Sequence, residues 1–283
     1  MRKKIKLNLK KLKKKKKLDK RSVYLRELII ECLQHEERGH VGSSLSLVEM
    51  IRVLYDKIIK FDSKKTNLEA RDRFILSKGH GCLALYVMLF DKKFITKKHL
   101  ISVGKLNSIL GGHPEHTVPG VEFSTGALGH GFSIACGMAL AAKIKKQKHK
   151  IFVIMGDGEI NEGSVWESAL SVSKHKLNNL ITIIDYNKFQ SYGPLEQVSN
   201  MTSIKKKWES FGFEVMEING HDIHALEKTF KIARKKKSKP IVVVCYTIKG
   251  KGLRFAENKS DWHHRSSIDE LVVKKMKEEL RKS

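Results

Sequence analysis

The chain of 283 residues has four cysteines and four prolines, and aromatic residues make up 7% of it. Cys32, Cys82, Cys136 and Cys245 lie far apart among apolar neighbours, and no pair has the spacing of a redox or zinc motif. A disulfide framework is thereby excluded, and buried thiols in a reducing, cytoplasmic setting are expected. Long apolar runs are missing too. No segment reaches the length needed to span a bilayer, and residues 1–20 lack the apolar core of a secretory signal. Acidic residues are scarce: 30 Asp and Glu stand against 56 Lys and Arg, a formal charge of +26. Residues 1–20 hold twelve Lys or Arg and one Asp, so this segment carries +11 and the remainder +15. The run at residues 10–17 repels itself and has little to bury, which marks residues 1–20 as a disordered basic tail. Such a tail could attract nucleic acid or anionic lipid in a salt-sensitive way. The body, however, has no aromatics interleaved with its lysines, no zinc-finger spacing and no RNA-binding aromatic signature, which argues against nucleic acid as a partner.

What the chain does have is alternation. Apolar residues recur at helical spacing over residues 23–34 and 47–59, with a Gly-containing loop at 37–42 between them. A short strand at 74–76 leads through Gly79-His80-Gly81 into an apolar helix ending near Phe90. Beyond a Gly- and Pro-rich loop at 111–131 comes a small-residue helix, 133–146. Continuous apolar runs at 151–155, 180–185 and 241–245 read as strands buried on both faces, and 214–218 as a fourth. The expected fold class is α/β: a doubly wound, mainly parallel sheet flanked by helices. Residues 21–283 are then one domain behind the tail, long enough to bury a core without staples.

Two of these strands end in residues suited to a cation. Gly156-Asp157-Gly158 must turn out of the strand 151–155, and Asp185-Tyr186-Asn187 leaves the strand 180–185. A right-handed crossover through a helix near 165–176 makes the two strands neighbours, bringing Asp157 and Asn187 into the crevice where open sheets bind ligands. A carboxylate and a neutral amide suit magnesium, which takes few protein oxygens and completes its octahedron with phosphate and water. The glycines let the backbone approach a diphosphate and offer it amide protons. A lone Gly-Asp-Gly is as often an ordinary turn. The second strand end gives it weight.

The run from Gly156-Asp157-Gly158-Glu159 to Asn161-Glu162-Gly163, followed by Asp185-Tyr186-Asn187-Lys188, resembles the thiamine-diphosphate signature of transketolases. The likeness extends over nearly all of residues 21–265. It includes Gly39-His40-Val41-Gly42, Leu76-Ser77-Lys78-Gly79-His80, Gly112-His113-Pro114-Glu115, Ser124-Thr125-Gly126-Ala127-Leu128-Gly129-His130-Gly131, Thr247-Ile248-Lys249-Gly250-Lys251-Gly252 and Trp262-His263. Several spaced motifs in one order are far more specific than any one of them.

The resemblance implies thiamine diphosphate and Mg2+ as cofactors, with the metal on Asp157, Asn187 and the backbone carbonyl of Phe189. It places His80 and His263 against the diphosphate with the backbone of Gly158 and with Glu162 and Asn187, and it lays Gly126 and Leu128 over the cofactor. His40, His113 and His263 would be catalytic, facing substrate hydroxyls and carbonyl, since imidazole can donate or accept a proton near neutrality. The reaction implied is transfer of a two-carbon ketol unit from a ketose phosphate to an aldose. His130 stands where many transketolases have Gln, and it is read with His221 as a loop or capping residue. Trp262-His263-His264 replaces the familiar Trp-His-Gly, so either imidazole could face the cofactor, and His263 is taken by position.

Complete transketolases are more than twice this length, and their second domain carries the glutamate that activates the cofactor. The expectation is therefore the diphosphate-binding subunit of a split enzyme, working with a separate C-terminal, pyrimidine-binding subunit on sugar phosphates, as a heterotetramer. Two rivals remain. A dehydrogenase or synthase using the same cofactor needs Asp157 and Asn187 but not the set His40, His80 and His113. A non-catalytic nucleic-acid or scaffold protein is supported by the basic tail alone.

Overall fold

A computed structural model describes residues 17–191, 193–199 and 203–282. The expected basic tail, 1–20, lies almost wholly outside the described residues. Asp19 accepts a hydrogen bond from the Ser22 N–H and so caps α1 (Lys20–Glu36).

Five strands, β1 (Arg73–Leu76), β2 (Ile151–Gly156), β3 (Leu180–Tyr186), β4 (Glu214–Asn219) and β5 (Ile241–Tyr246), form one parallel sheet in the order β1-β2-β3-β5-β4. Parallel pairing demands crossovers, and helices supply them on both faces. On one face α1, α2 (Val41–Val53), α3 (Cys82–Asp91), α9 (Ile223–Lys235) and α10 (Glu270–Arg281) pack against Phe74, Phe152, Ile154, Ile181, Ile183 and Val243. On the other, α5 (His130–Ile144), α6 (Gly163–Lys174) and α8 (Ile204–Ser210) pack against Ile75, Val153, Met155, Ile184 and Val244. Successive strand residues therefore alternate between two cores, which is why the strands read as unbroken apolar runs. Three shorter segments complete the elements used here: α4 (Lys97–Ile101), α7 (Leu195–Val198) and a π turn, Leu54–Ile58, that continues α2.

Expected and observed elements agree closely except at α2. This helix begins at Val41, six residues before the expected start, and all of its residues but Arg52 are buried. Its first turn holds Gly42, Ser43 and Ser44, small residues that sequence reads as loop but that here let the helix start lie tight against Lys249: a Cβ on Gly42 would come within 2.9 Å of the Lys249 side chain. No described helix is long and apolar enough to cross a membrane.

Candidate active site

Four of the motif segments leave the carboxyl edge of the sheet. Ser77 to His80 follow β1, Gly156-Asp157-Gly158 ends β2, Asn187 follows β3, and Thr247 to Gly252 follow β5. Strands β2 and β3 are neighbours, with Gly156 paired to Asp185, and the Asp157 N–H donates to the Asp185 carbonyl at 3.2 Å. Asp157 and Asn187 are both buried there.

The Asp157 carboxylate is 2% exposed and accepts the N–H of Gly158 at 2.9 Å and that of Lys188. Burial first, and then the charge of Asp185, push its pKa up to about 7. Such a carboxylate gains strongly from a cation. Asn187 Oδ1 accepts the Phe189 N–H at 2.9 Å, while its Nδ2 donates to Asp185 at 3.3 Å. The Phe189 carbonyl accepts from Lys249 Nζ at 3.3 Å, as does the Gln190 carbonyl at 3.0 Å. The two strand ends thus offer a carboxylate, an amide oxygen and a backbone carbonyl, donor types that suit a hard cation such as magnesium. Among the described residues no three His, Cys, Asp or Glu side chains gather into a metal cluster.

Two residues not singled out in the sequence give this corner its positive potential. Lys78 is buried and donates to Asp185 Oδ2 at 2.6 Å. Burial, and then Lys78, lower the Lys249 pKa to about 8. Two ammonium groups held beside backbone N–H donors suit a diphosphate. Asp185 counterbalances them. Burial works against its charged form, but Lys78 and hydrogen bonds from Thr247 and Ser46, the last at 2.7 Å, hold its pKa below the ordinary carboxylate value. The signal was present, since both lysines lie inside recognised motifs. In a chain with 56 Lys and Arg, though, sequence does not say which are buried.

Four imidazoles surround His40. Its ring centroid lies 5.4 Å from that of His80, 6.0 Å from His113, 5.4 Å from His263 and 4.6 Å from His264. Burial, reinforced by His264 and His113, lowers the His40 pKa to about 4. Burial and Lys249 bring His263 to about 3, and burial and Lys78 drive His80 well below its usual value. Burial also lowers His113, against the pull of Glu115. At neutral pH the rings of His40, His80, His113 and His263 are uncharged, so each can donate one hydrogen bond and accept another. His263 Nε2 is 3.2 Å from Ser191 Oγ, while its Nδ1 and the Nε2 of Gln190 are buried without a hydrogen-bond partner. A Cβ on Gly126 would come within 3.1 Å of the His113 ring, and one on Gly158 within 3.0 Å of Gln190. These glycines keep the loops at a spacing that a side chain would crowd. The unpartnered nitrogens, the lysine pair and the buried carboxylate together fit a phosphorylated cofactor with its metal.

Not every expected residue joins this cluster. Leu128 is held nearby, in the loop whose Gly129 N–H donates to Glu159 at 3.0 Å. Glu162 is exposed at the start of α6. The buried glutamate of that motif is Glu159, which accepts from Gly129, from the Gly156 N–H at 3.1 Å and from Ser77, tying the ends of β1 and β2 to the loop before α5. His130 is exposed in the first turn of α5. His221 is 2.8 Å from Glu49 through Nδ1 and accepts the Ile248 N–H at 2.8 Å, a bracing role away from the imidazole cluster.

Residues 18–282 match the family model described as "Transketolase, thiamine diphosphate binding domain". The chain belongs to the transketolase family. Among curated transketolase-family proteins, it is 41% identical over 239 residues to an apulose-4-phosphate transketolase subunit of Phocaeicola vulgatus, covering 84% of this chain and 85% of that protein. It is 36% identical over 248 residues to a 6-deoxy-6-sulfo-D-fructose transketolase subunit of a Clostridium species, covering 87% and 90%. The crystal structure of transketolase from Campylobacter jejuni superposes with a TM-score of 0.84 at 32% identity, over 93% of this chain. The chain spans 43% of that longer transketolase.

Proposed function

We propose that this chain is the diphosphate-binding subunit of a two-chain, thiamine-diphosphate-dependent transketolase that moves a two-carbon ketol unit from a ketose phosphate to an aldose. The observation that carries this reading is the imidazole cluster around His40, set beside the Asp157 and Asn187 strand ends. A dehydrogenase or synthase using the same cofactor would need the strand ends but not the cluster.

Asp157, Asn187 and the Phe189 carbonyl would hold Mg2+. The Gly158 N–H, His80, His263, Lys78 and Lys249 would hold the diphosphate, with Gly126 and Leu128 against the cofactor ring. The role of Glu162 rests on resemblance alone. The cofactor, when bound, supplies the carbon nucleophile and the electron sink of the reaction. The protein orients the sugar and manages protons. His40, His113 and His263, uncharged at neutral pH, donate hydrogen bonds to a developing oxygen anion and accept protons from sugar hydroxyls.

Relatives of similar length carry subunit names, which supports a separate chain for pyrimidine binding; the proposed assembly has two copies of each chain. The four buried thiols suit a cytoplasmic setting. Calorimetry with the pyrimidine-binding partner present tests the assignment. Thiamine diphosphate binding should require Mg2+ and be abolished by Asp157→Ala; binding that survives the substitution would refute the proposed site.

A further inference from the structure

A cavity of about 390 Å³ opens beside the imidazole cluster. His40, His80, His113 and His264 line one part of its wall, and Glu36, Arg38 and Lys105 line another. The size suits a small ligand. Glu36 is half-buried there, the last residue of α1, and no described residue donates a hydrogen bond to its carboxylate.

Two glycines leave room for this side chain. A Cβ on Gly104, whose φ is 71°, would lie 2.7 Å from Glu36 Cγ and 3.0 Å from Oε1. A Cβ on Gly39, at φ 142°, would lie 3.4 Å from Oε2. Both conformations strain any residue with a side chain, and both positions would crowd the carboxylate. The glycine N–H groups are committed elsewhere, Gly39 to the Arg265 carbonyl at 2.9 Å and Gly104 to the Leu110 carbonyl at 2.8 Å. The fold therefore makes room for a carboxylate on the cavity wall and leaves its hydrogen-bonding capacity to whatever enters.

We propose that Glu36 is a specificity-determining residue that accepts hydrogen bonds from hydroxyls of a phosphorylated sugar, on the part of the substrate remote from the reacting carbons. This rests on the ketol-transfer reading. Burial raises the Glu36 pKa above the usual carboxylate value, and the nearby charges of Arg38 and then Lys105 work against that rise. Their charge disfavours a cationic ligand and favours a polyol with an anionic end. A carboxylate can accept from two neighbouring hydroxyls at once, and such charge-assisted bonds are stronger than neutral ones.

The test uses holoenzyme reconstituted from this chain, its pyrimidine-binding partner, Mg2+ and thiamine diphosphate. Hydroxypyruvate is the donor, and the acceptors are ribose 5-phosphate and glycolaldehyde, the latter too short to offer remote hydroxyls. In Glu36→Gln the ratio of kcat/KM for ribose 5-phosphate to that for glycolaldehyde should fall about tenfold or more, mainly through KM for the longer sugar. A ratio within twofold of the parent overturns the proposal, because a purely structural role depresses both acceptors alike. Saturation-transfer NMR of ribose 5-phosphate on the same complexes gives a reading without turnover. Signal lost in Glu36→Gln supports the proposal even if ketol transfer itself fails, and equal signals overturn it. Glu36→Ala, compared at matched thermal stability, guards against an artefact of one substitution.

Discussion

Replacing Tyr86 by phenylalanine removes one oxygen atom from a fully buried ring, yet it should slow catalysis. The Tyr86 hydroxyl lies 2.8 Å from the His113 carbonyl and 3.0 Å from that of Gly111, and Cys82 Sγ donates to the Gly112 carbonyl at 3.2 Å. Helix α3 thus pins three consecutive carbonyls of the loop that presents His113, and two of those loop residues are glycines with little side-chain contact to hold them. Without the hydroxyl, the one proton shared between these two carbonyls is lost, at a cost of about 1–3 kcal/mol. The Cys82 contact persists, which places the expected loss in the lower half of that range. If the loss falls on the aligned state of His113, kcat drops by roughly 5- to 30-fold at about 1.4 kcal/mol per factor of ten. Magnesium-dependent cofactor affinity should stay within about twofold, because no diphosphate-facing group is touched. The assay is steady-state ketol transfer by the reconstituted enzyme for the parent, Tyr86→Phe, His113→Ala and the double variant. If Tyr86 acts through His113, the hydroxyl deletion costs almost nothing once the imidazole is gone. Multiplicative effects in the double variant would refute the reasoning.

Asp185→Asn leaves the buried Lys78 ammonium without its carboxylate, and a midpoint shift in urea unfolding equivalent to about 3–5 kcal/mol is expected; a shift under about 1 kcal/mol would show that Lys78 finds other partners. The four thiols should be silent in the native fold. Burial pushes Cys32 up to about 12 and raises Cys82, Cys136 and Cys245 as well. At pH 8 the reactive thiolate is thus suppressed, and it should rise only as pH climbs toward those raised values. A disulfide exchange reagent at pH 8 should count no thiols before denaturant and four after it; fast modification of any cysteine in the native protein contradicts the burial described.

Much of the fold was legible because the strands face two cores and so appear as continuous apolar runs, and because each ends at a glycine or a polar cluster. The pairing of Asp157 with Asn187 followed from topology, since a single helix joining two adjacent parallel strands puts both carboxyl ends in one crevice. What escaped was whatever depends on burial. Glu159 and Glu162 stand three positions apart and look alike in sequence, but only the first reaches back beneath the turn to three donors. Lys78 and Lys249 were hidden among dozens of solvated cations. The early start of α2 was missed because Gly42, Ser43 and Ser44 have loop-like chemistry, whereas in the fold their smallness allows close packing against Lys249.

The Asp185 carboxylate receives Ser46 from α2, Lys78 from the turn after β1, Asn187 from the end of β3 and Thr247 from the end of β5. These four segments meet only when β1, β2, β3 and β5 are paired and α2 has docked on them. The Asp185 corner is therefore a readout of assembly: a chain with one of these elements misplaced, even with normal helix content, would not form it.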